Sequence, residues 1–151
     1  MRETEQARIL MIDDDETIRK AIATVLKEKG YIVDTAESGQ VAVRKSETEI
    51  YDLALIDIRL PDMDGVQLLT AMKETAPKMV KIIITGYPSL QNAVEAVNKG
   101  ADGYIVKPVK MDELLTMIEV HLKKQRESRK YTEQKVAEFI ETRAREFESR
   151  K

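Results

Sequence analysis

Acidic, hydroxyl and basic side chains stand at the ends of four short apolar runs. In chain order these residues are Asp13, Asp14, Asp57, Thr85 and Lys107. Carboxylates that lie close together raise one another's pKa, and a hard divalent cation such as Mg²⁺ relieves that repulsion. An ammonium group and a hydroxyl beside the cation suit a phosphoryl group, and an aspartate can itself be the nucleophile. The residue types therefore predict a metal-assisted phosphoryl site, provided that the four runs converge.

Helical patterns separate the apolar runs. The pattern predicts strands at 8–12, 31–36, 51–56, 80–85 and 103–108, and helices at 15–30, 39–48, 65–76, 88–100 and from near Asp112 onward. Continuous apolar strands that alternate with helices indicate a parallel sheet covered on both faces. The carboxyl ends of such strands lie at one edge, where ligands bind. The sequence thus predicts a doubly wound α/β fold with five parallel strands and the candidate groups in one cleft.

Glycine, proline and aspartate mark the expected helix ends. Gly30 and Gly100 are expected to stop the first and fourth helices, and Pro77 the third. Pro88 suits the first turn of the fourth helix. Asp112 is the expected N-cap of the last helix.

Composition limits the class of protein. The chain has 151 residues, of which 42% are hydrophobic and 34% charged, so one soluble domain with an appendage is expected. The sequence contains no cysteine, which excludes disulfides, thiolate metal sites and a cysteine nucleophile. No apolar run approaches the ~20 residues that span a bilayer, and the first residues lack the apolar stretch of a signal peptide. A cytoplasmic protein without a membrane partner is the default expectation.

The motifs resemble those of a known family, the receiver domain of two-component response regulators. The resemblance rests on RILMIDDDETIRK, YDLALIDIRLPDMDG, KIIITGY and GADGYIVKP, in this order and spacing, and covers about residues 7–122. It implies a flavodoxin-like strand order 2-1-3-4-5. It also implies a protein that is not a conventional enzyme but assists its own phosphorylation and dephosphorylation.

The resemblance implies roles for the residues at the strand ends. Asp57 would accept the phosphoryl group from the phosphohistidine of a sensor histidine kinase or phosphotransfer protein. Asp13, Asp14 and Asp57, together with the backbone carbonyl of Arg59, would hold Mg²⁺. Lys107 would contact the phosphoryl oxygens.

The resemblance also implies a switch. Thr85 would move to bind the phosphoryl group, and the aromatic side chain of Tyr104 would turn inward into the vacated space. The bond between Lys107 and Pro108 is commonly cis in the family. Phosphorylation would then alter the face formed by residues 88–122 for an unknown downstream protein.

An enzyme family of a different class shares motifs with this chain. ILMIDDDET also fits the nucleophile motif of haloacid-dehalogenase-like phosphatases, with Asp13 as nucleophile and Asp15 as general acid. IIIT and Lys107 could serve as that family's second and third motifs. However, the family needs a further acidic motif after a strand beyond the lysine, and here a charged helical pattern follows instead. This alternative also leaves Asp57 and the LPDMDG turn without a role.

The last residues differ in charge from the rest. Residues 123–151 carry 10 Lys/Arg and 6 Asp/Glu, a net of +4, whereas residues 1–122 carry 15 basic and 21 acidic residues, a net of −6. The predicted division is a receiver domain over 1–122 and a helical tail over 123–151, with a break or solvated segment within 123–130. An apolar stripe that includes Phe139 and Ile140 suggests docking or dimerisation.

Two classes of output remain open. The chain could act as a stand-alone receiver that binds a partner protein, with a homodimer through the 88–122 face or the C-terminal helix. It could instead be the receiver part of a longer DNA-binding transcriptional regulator. Direct nucleic-acid binding by this chain is not expected, because the body is acidic and a 29-residue tail holds no helix-turn-helix domain. The single histidine, His121, is expected to be structural.

Overall fold

A computed structural model describes residues 6–75 and 78–149 of the chain. The strands are β1 (Arg8–Ile12), β2 (Ile32–Ala36), β3 (Leu53–Asp57), β4 (Val80–Thr85) and β5 (Gly103–Val106). The helices are α1 (Glu16–Glu28), α2 (Gly39–Thr48), α3 (Gly65–Ala71), α4 (Leu90–Asn98) and α5 (Met111–Ser149). All ten predicted elements are present in the predicted order.

The five strands form one parallel sheet in the order β2-β1-β3-β4-β5. This arrangement confirms the predicted doubly wound α/β fold and the strand order that the resemblance implied. The order reverses at β1, between β2 and β3, so the carboxyl ends of β1 and β3 flank the crevice in which such sheets bind ligands.

Each face of the sheet has its own apolar core. Ile9 and Met11 of β1 point to one face, where they pack with residues of α1 and α5, among them Leu26 and Ile118. Leu10 of β1 points to the opposite face, which is covered by α2, α3 and α4. Alternation along a strand sends successive side chains to opposite faces, and both faces here are apolar because helices cover both.

The helix ends follow the sequence signals in most places. Asp15 caps α1 by accepting a hydrogen bond from the Ile18 backbone N–H at 3.1 Å. Gly30 and Gly100 follow α1 and α4 with φ of 99° and 105°, the left-handed conformation that glycine adopts without a Cβ penalty. These two stops confirm the prediction.

Two expected helix starts are wrong by one or two residues. Helix α4 begins at Leu90 with Ser89 as its N-cap, since the Ser89 hydroxyl accepts from the Asn92 backbone N–H, so Pro88 lies before the helix. Helix α5 begins at Met111, which places Asp112 in the first turn and not at the cap. A carboxylate in the first turn still interacts favourably with the helix dipole.

Helix α3 is shorter than the predicted 65–76, because it ends at Ala71. Other parts of the fold bind the backbone groups that would continue it. The Lys81 ammonium donates to the Leu69 carbonyl at 2.6 Å, and the Lys73 N–H donates to the Ser46 hydroxyl at 3.3 Å. The predicted stop at Pro77 lies outside the described residues.

Helix α5 is continuous over 39 residues, so no break occurs within 123–130, whereas the alternative of a solvated segment agrees with the exposure of most residues there. Lysine, arginine, glutamate and glutamine are good helix formers, and no glycine or proline occurs after Pro108. The Gln125 amide also fixes the helix to the body, because its Nε2 donates to the carbonyls of Asp52 at 3.0 Å and Lys78 at 2.8 Å.

Candidate functional site

The loop after β1 holds the acidic pair. Asp13 is fully buried, and its carboxylate accepts a hydrogen bond from the Asp15 backbone N–H at 2.9 Å. The Arg19 guanidinium donates to the Asp13 carbonyl at 2.8 Å, which ties the loop to α1. Asp14 is exposed. One carboxylate of the pair is thus fixed within the protein, and the other reaches solvent.

Asp57 is the last residue of β3 and is 5% exposed. Gly65, the first residue of α3, lies against it: a Cβ added at Gly65 would come within 2.5 Å of the Asp57 carbonyl oxygen. Glycine is therefore required here by close approach of two backbone segments. This contact holds the start of α3 beside the end of β3. It thereby fixes the position of the Asp57 backbone at the carboxyl edge of the sheet.

The acidic turn after Asp57 is structural. The Asp62 carboxylate accepts from the backbone N–H groups of Gly39 at 2.9 Å and Gln40 at 2.8 Å, at the start of α2. These hydrogen bonds hold the pKa of Asp62 below its usual range. Asp64 caps α3 in a reciprocal pair with Gln67. The turn therefore anchors Asp57 to two helices, and the sequence-based site prediction did not include Asp62.

Lys107 links the two buried carboxylates. Its Nζ lies 3.4 Å from Asp13 Oδ2 and 3.5 Å from Asp57 Oδ1. The Lys107 N–H donates to the Thr85 carbonyl at 2.7 Å, and the following peptide bond, to Pro108, is cis. The structure thus brings together groups that follow β1, β3 and β5 along the chain.

Three carboxylates here could share one cation. Ligand oxygens of Asp13, Asp14 and Asp57 all lie within 4.8 Å of one another. These oxygens open on a cleft of about 560 Å³, which Arg59, Lys107 and other residues also line. Hard oxygen donors with room for retained water are what Mg²⁺ prefers. The residues present therefore fit the ion that the resemblance implies.

The electrostatics of Asp57 agree with that fit. Burial, followed by the charge of Asp13, raises the pKa of the Asp57 carboxyl to about 6, although Lys107 acts in the opposite direction. The ionised carboxylate is thus disfavoured in the protein without a cation. A positive charge bound to these oxygens lowers the pKa again and stabilises the ionised form.

Thr85 and Tyr104 lie on neighbouring strands. Thr85 is fully buried, and its Oγ1 accepts from the Tyr87 backbone N–H at 2.9 Å. Tyr104 pairs with Ile83 across the strands and packs partly buried against the core under α2, α3 and α4. Its buried hydroxyl has no hydrogen-bond partner within residues 6–75 and 78–149. The aromatic ring therefore already points into the protein.

A cation–π pair stands at the mouth of the cleft and was missed by the sequence-based prediction. The Arg59 guanidinium lies 3.7 Å from the centroid of the Tyr87 ring. Arg59 follows Asp57 by two residues, and Tyr87 follows Thr85 by two. Because β3 and β4 are neighbours, this equal spacing was a signal that the two side chains could meet.

Comparison with known proteins agrees with this fold. Residues 9–119 match the family model of the response regulator receiver domain. A CheY-like receiver domain protein from Methanospirillum hungatei is 42% identical, with a TM-score of 0.79 over 82% of this chain and 99% of that one. A response regulator from Burkholderia pseudomallei, solved with a phosphorylated aspartic acid, calcium and citrate, is 26% identical over 82% of this chain and 72% of that one, with a TM-score of 0.69.

A longer relative matches more of the chain. The transcriptional regulatory protein GlrR of Escherichia coli is 36% identical over 138 residues, which cover 91% of this chain and 30% of that protein. This chain therefore spans less than a third of that relative's length.

The sheet order and the similarity to solved receiver domains define a CheY-like fold with an acidic cleft at its carboxyl edge. With the family match over residues 9–119, the chain belongs to the response regulator receiver domain family. Receiver domains bind Mg²⁺ at an acidic pocket and work with a sensor kinase. Within the described part of the chain, no helix is long and apolar enough to cross a membrane.

Proposed function

We propose that Asp57 accepts a phosphoryl group from a phosphohistidine of a sensor histidine kinase or phosphotransfer protein. A carboxylate oxygen of Asp57 forms the bond to phosphorus while the bond from phosphorus to the histidine nitrogen breaks, and the imidazole leaves with that electron pair. The observation that carries this proposal is the position of Lys107, whose Nζ is within 3.5 Å of both Asp13 and Asp57. Its ammonium can pair with a phosphoryl oxygen on Asp57.

Asp13, Asp14 and Asp57, with the backbone carbonyl of Arg59, would hold Mg²⁺ in this cleft. The ion would supply charge neutralisation for the carboxylates and for the oxygens of the transferred group. The protein's own groups fix the arrangement: the Asp15 N–H orients Asp13, and the Arg59 N–H, 3.4 Å from Asp57 Oδ1, orients the acceptor.

Thr85 and Tyr104 are the proposed switch. The Thr85 hydroxyl now accepts from the Tyr87 N–H, and it has a proton to donate to a phosphoryl oxygen. A shift of Thr85 toward Asp57 changes the space available to Tyr104. The surface of residues 88–122 then differs between the two states, and that difference is what a downstream protein would bind.

The signalling unit in this proposal is a receiver domain over residues 1–122, followed by a charged tail over 123–151 that continues helix α5. It is not a conventional enzyme, since the phosphoryl group is bound to the protein itself and acts as a signal.

Phosphorylation with acetyl phosphate tests the proposal. In Mg²⁺ the wild type should gain one phosphoryl group by intact mass, and Asp57→Asn should gain none. Asp112→Asn is the control, because it makes the same change at an exposed aspartate that does not line the cleft, and it should label like the wild type. Persistent label on Asp57→Asn, located at Asp13, would overturn the proposal in favour of the phosphatase alternative.

A second candidate concerns the output. Several curated relatives, GlrR among them, are transcriptional regulatory proteins, and this chain matches 24% to 30% of their lengths. We propose, as the alternative, that the chain serves as the receiver of a longer transcriptional regulator. A reading frame that continues past Lys151 into a DNA-binding domain would support it, and a stop codon there would contradict it.

A further inference from the structure

The loop between β3 and α3 is joined at its tip to the first turn of α2. Each oxygen of the Asp62 carboxylate accepts one hydrogen bond, from the backbone N–H of Gly39 at 2.9 Å and of Gln40 at 2.8 Å. The next loop residue, Met63, lies over Gly39, since a Cβ added to the glycine would come within 2.4 Å of the Met63 Cγ. Two successive loop residues therefore contact the same residue of α2, one by a hydrogen bond to a carboxylate and one by packing.

Helix α2 has a cap of its own and is fixed to the body without this loop. Ser38 occupies the N-cap position, and its hydroxyl accepts from the Val41 backbone N–H at 3.2 Å. Ala42, in the first turns of the helix, is fully buried in the core. Most of the loop, by contrast, is exposed, so few packing contacts hold it. The hydrogen bonds of Asp62 therefore attach a weakly packed loop to a firmly packed helix.

The same loop carries Arg59, three residues before Asp62, at the cleft. Arg59 forms an antiparallel bridge with Asp64, and the Gly65 N–H donates to the Ile58 carbonyl at 2.8 Å, so the loop closes on itself. A short closed loop moves as a unit. The position of the Arg59 backbone therefore depends on where the tip of the loop is attached.

We propose that Asp62 is a positioning residue of the metal site, because its hydrogen bonds to α2 set where the Arg59 carbonyl lies. This inference rests on the proposed function, in which that carbonyl is one of the oxygen ligands of Mg²⁺. The carboxylates are positioned independently of the loop tip: the Asp15 N–H orients Asp13 at 2.9 Å, and Asp57 ends the buried strand β3. Loss of the hydrogen bonds at Asp62 should therefore weaken cation binding without abolishing it.

The choice of cation separates positioning from a general structural role. Mg²⁺ requires nearly ideal octahedral geometry at about 2.0–2.1 Å, whereas Ca²⁺ accepts oxygens in flexible geometry at about 2.3–2.6 Å. A displaced Arg59 carbonyl should thus reduce the affinity for Mg²⁺ more than the affinity for Ca²⁺. A general loss of stability would lower both affinities by the same factor.

Cation binding to the unphosphorylated full chain, followed through backbone amide NMR signals, tests the proposal without any phosphodonor. Asp62→Ala removes both hydrogen bonds. It should raise the Mg²⁺ dissociation constant about tenfold, the lower end of what loss of a residue that orients a metal ligand costs. The Ca²⁺ dissociation constant should rise less than about threefold.

Three further variants separate the hydrogen bonds from charge and from helix stability. Asp62→Asn loses the charge but keeps one acceptor oxygen, so its Mg²⁺ dissociation constant should rise only about threefold. Gly39→Ala displaces Met63 and with it the loop tip, and should weaken Mg²⁺ binding although no charge changes. Ser38→Ala is the matched control, because it removes the cap of α2 without touching the loop and should leave Mg²⁺ binding unchanged.

Four outcomes would overturn the proposal. They are equal Mg²⁺ affinities of Asp62→Ala and the wild type, equal losses for Mg²⁺ and Ca²⁺, equal losses in Asp62→Asn and Asp62→Ala with none in Gly39→Ala, and the same loss in Ser38→Ala. The third outcome would mean that the charge of Asp62 alone attracts the cation. A wild type that binds no Mg²⁺ would instead contradict the proposed metal site, and an Asp57 that gains no phosphoryl group would contradict the proposed function while leaving these affinities as measured.

Discussion

The receiver body and the outer part of α5 obtain their structure in opposite ways. In the body, β3 is buried from Leu53 to Asp57, and helices cover both faces of the sheet. In the segment 127–149, every described residue is exposed, although the backbone is just as regular. The body depends on contacts between residues distant in sequence, whereas the outer helix depends on local propensity.

This difference separates the two proposed tasks of the molecule. A phosphoryl site needs groups from β1, β3 and β5 held at fixed distances, which only a packed sheet provides. A surface for a partner needs an apolar face that stays accessible. The five predictions below test this division, beginning with the largest expected effect.

Truncation of an apolar side chain should lower the free energy of unfolding far more in the sheet core than on the outer part of α5. Leu55→Ala should lower the free energy of unfolding by about 2–5 kcal/mol, because it leaves a cavity between fully buried neighbours. Ile140→Ala, at a side chain 61% exposed, should change the unfolding of the monomer by less than about 0.5 kcal/mol. Urea denaturation at low micromolar concentration measures both. Equal losses would mean that the outer helix packs on the body.

The pH dependence of stability should reveal that the ionised form of the buried Asp57 carboxyl is disfavoured. The pKa of Asp57 is about 6 in the folded protein and near 3.8 when unfolded. As pH rises from 4 to 6 the unfolded state loses its proton first, so Asp57 should contribute a loss of about 2 kcal/mol of stability that is not regained above pH 6, measured as the difference between the wild type and Asp57→Asn. Asp57→Asn should lack this decline and be more stable at pH 7 in EDTA.

The opposite sign is expected at Asp62, whose pKa is lowered on folding. Its stabilising contribution is present above the unfolded pKa and is lost as pH falls through the folded pKa. Asp62→Asn should therefore be less stable than the wild type at neutral pH. If both asparagine variants shifted stability in the same direction, burial of Asp57 would not be the cause.

Gln125 marks the boundary between the two regions. Gln125→Ala removes hydrogen bonds to the Asp52 and Lys78 carbonyls and should cost about 1–2 kcal/mol. Hydrogen exchange should then quicken in residues 118–126 and remain unchanged in the sheet. Gln134→Ala, at an exposed position, is the control. No change in exchange would place the boundary nearer to Leu122.

The smallest effect is expected at the mouth of the cleft. Arg59→Ala removes the stack on Tyr87 and leaves the carboxylates in place, so phosphorylation should persist. Loss of the overhanging side chain should admit water and shorten the lifetime of the phosphoryl group a few-fold, and Tyr87→Ala should have a similar effect. Intact-mass measurement of the decay of the phosphoryl label tests this prediction. An unchanged half-life would contradict a role of Arg59 in limiting the access of water to the phosphoryl group.

Much of the fold could be predicted because local sequence patterns indicate the strands and helices. The apolar runs set the strands to within about two residues, and alternation with helices implied a parallel sheet. The candidate residues could be named because parallel strands bring their carboxyl ends together. The strand order itself came from the resemblance, since alternation alone leaves several topologies.

Other features depended on contacts that no local pattern contains. Helix α3 ends early because Lys81 and Ser46, distant in sequence, bind its backbone groups. The expected break in α5 is absent because helix propensity and the Gln125 contacts outweigh the lack of an apolar pattern.

The sequence by itself determined which residues could do phosphoryl chemistry and on which elements they lie, because residue type and periodicity are local properties. The tertiary structure alone decided that Lys107 reaches two carboxylates, that Arg59 stacks on Tyr87, and that Asp57 is disfavoured as an anion. These properties depend on distance and burial, which arise only when segments far apart in the chain pack together.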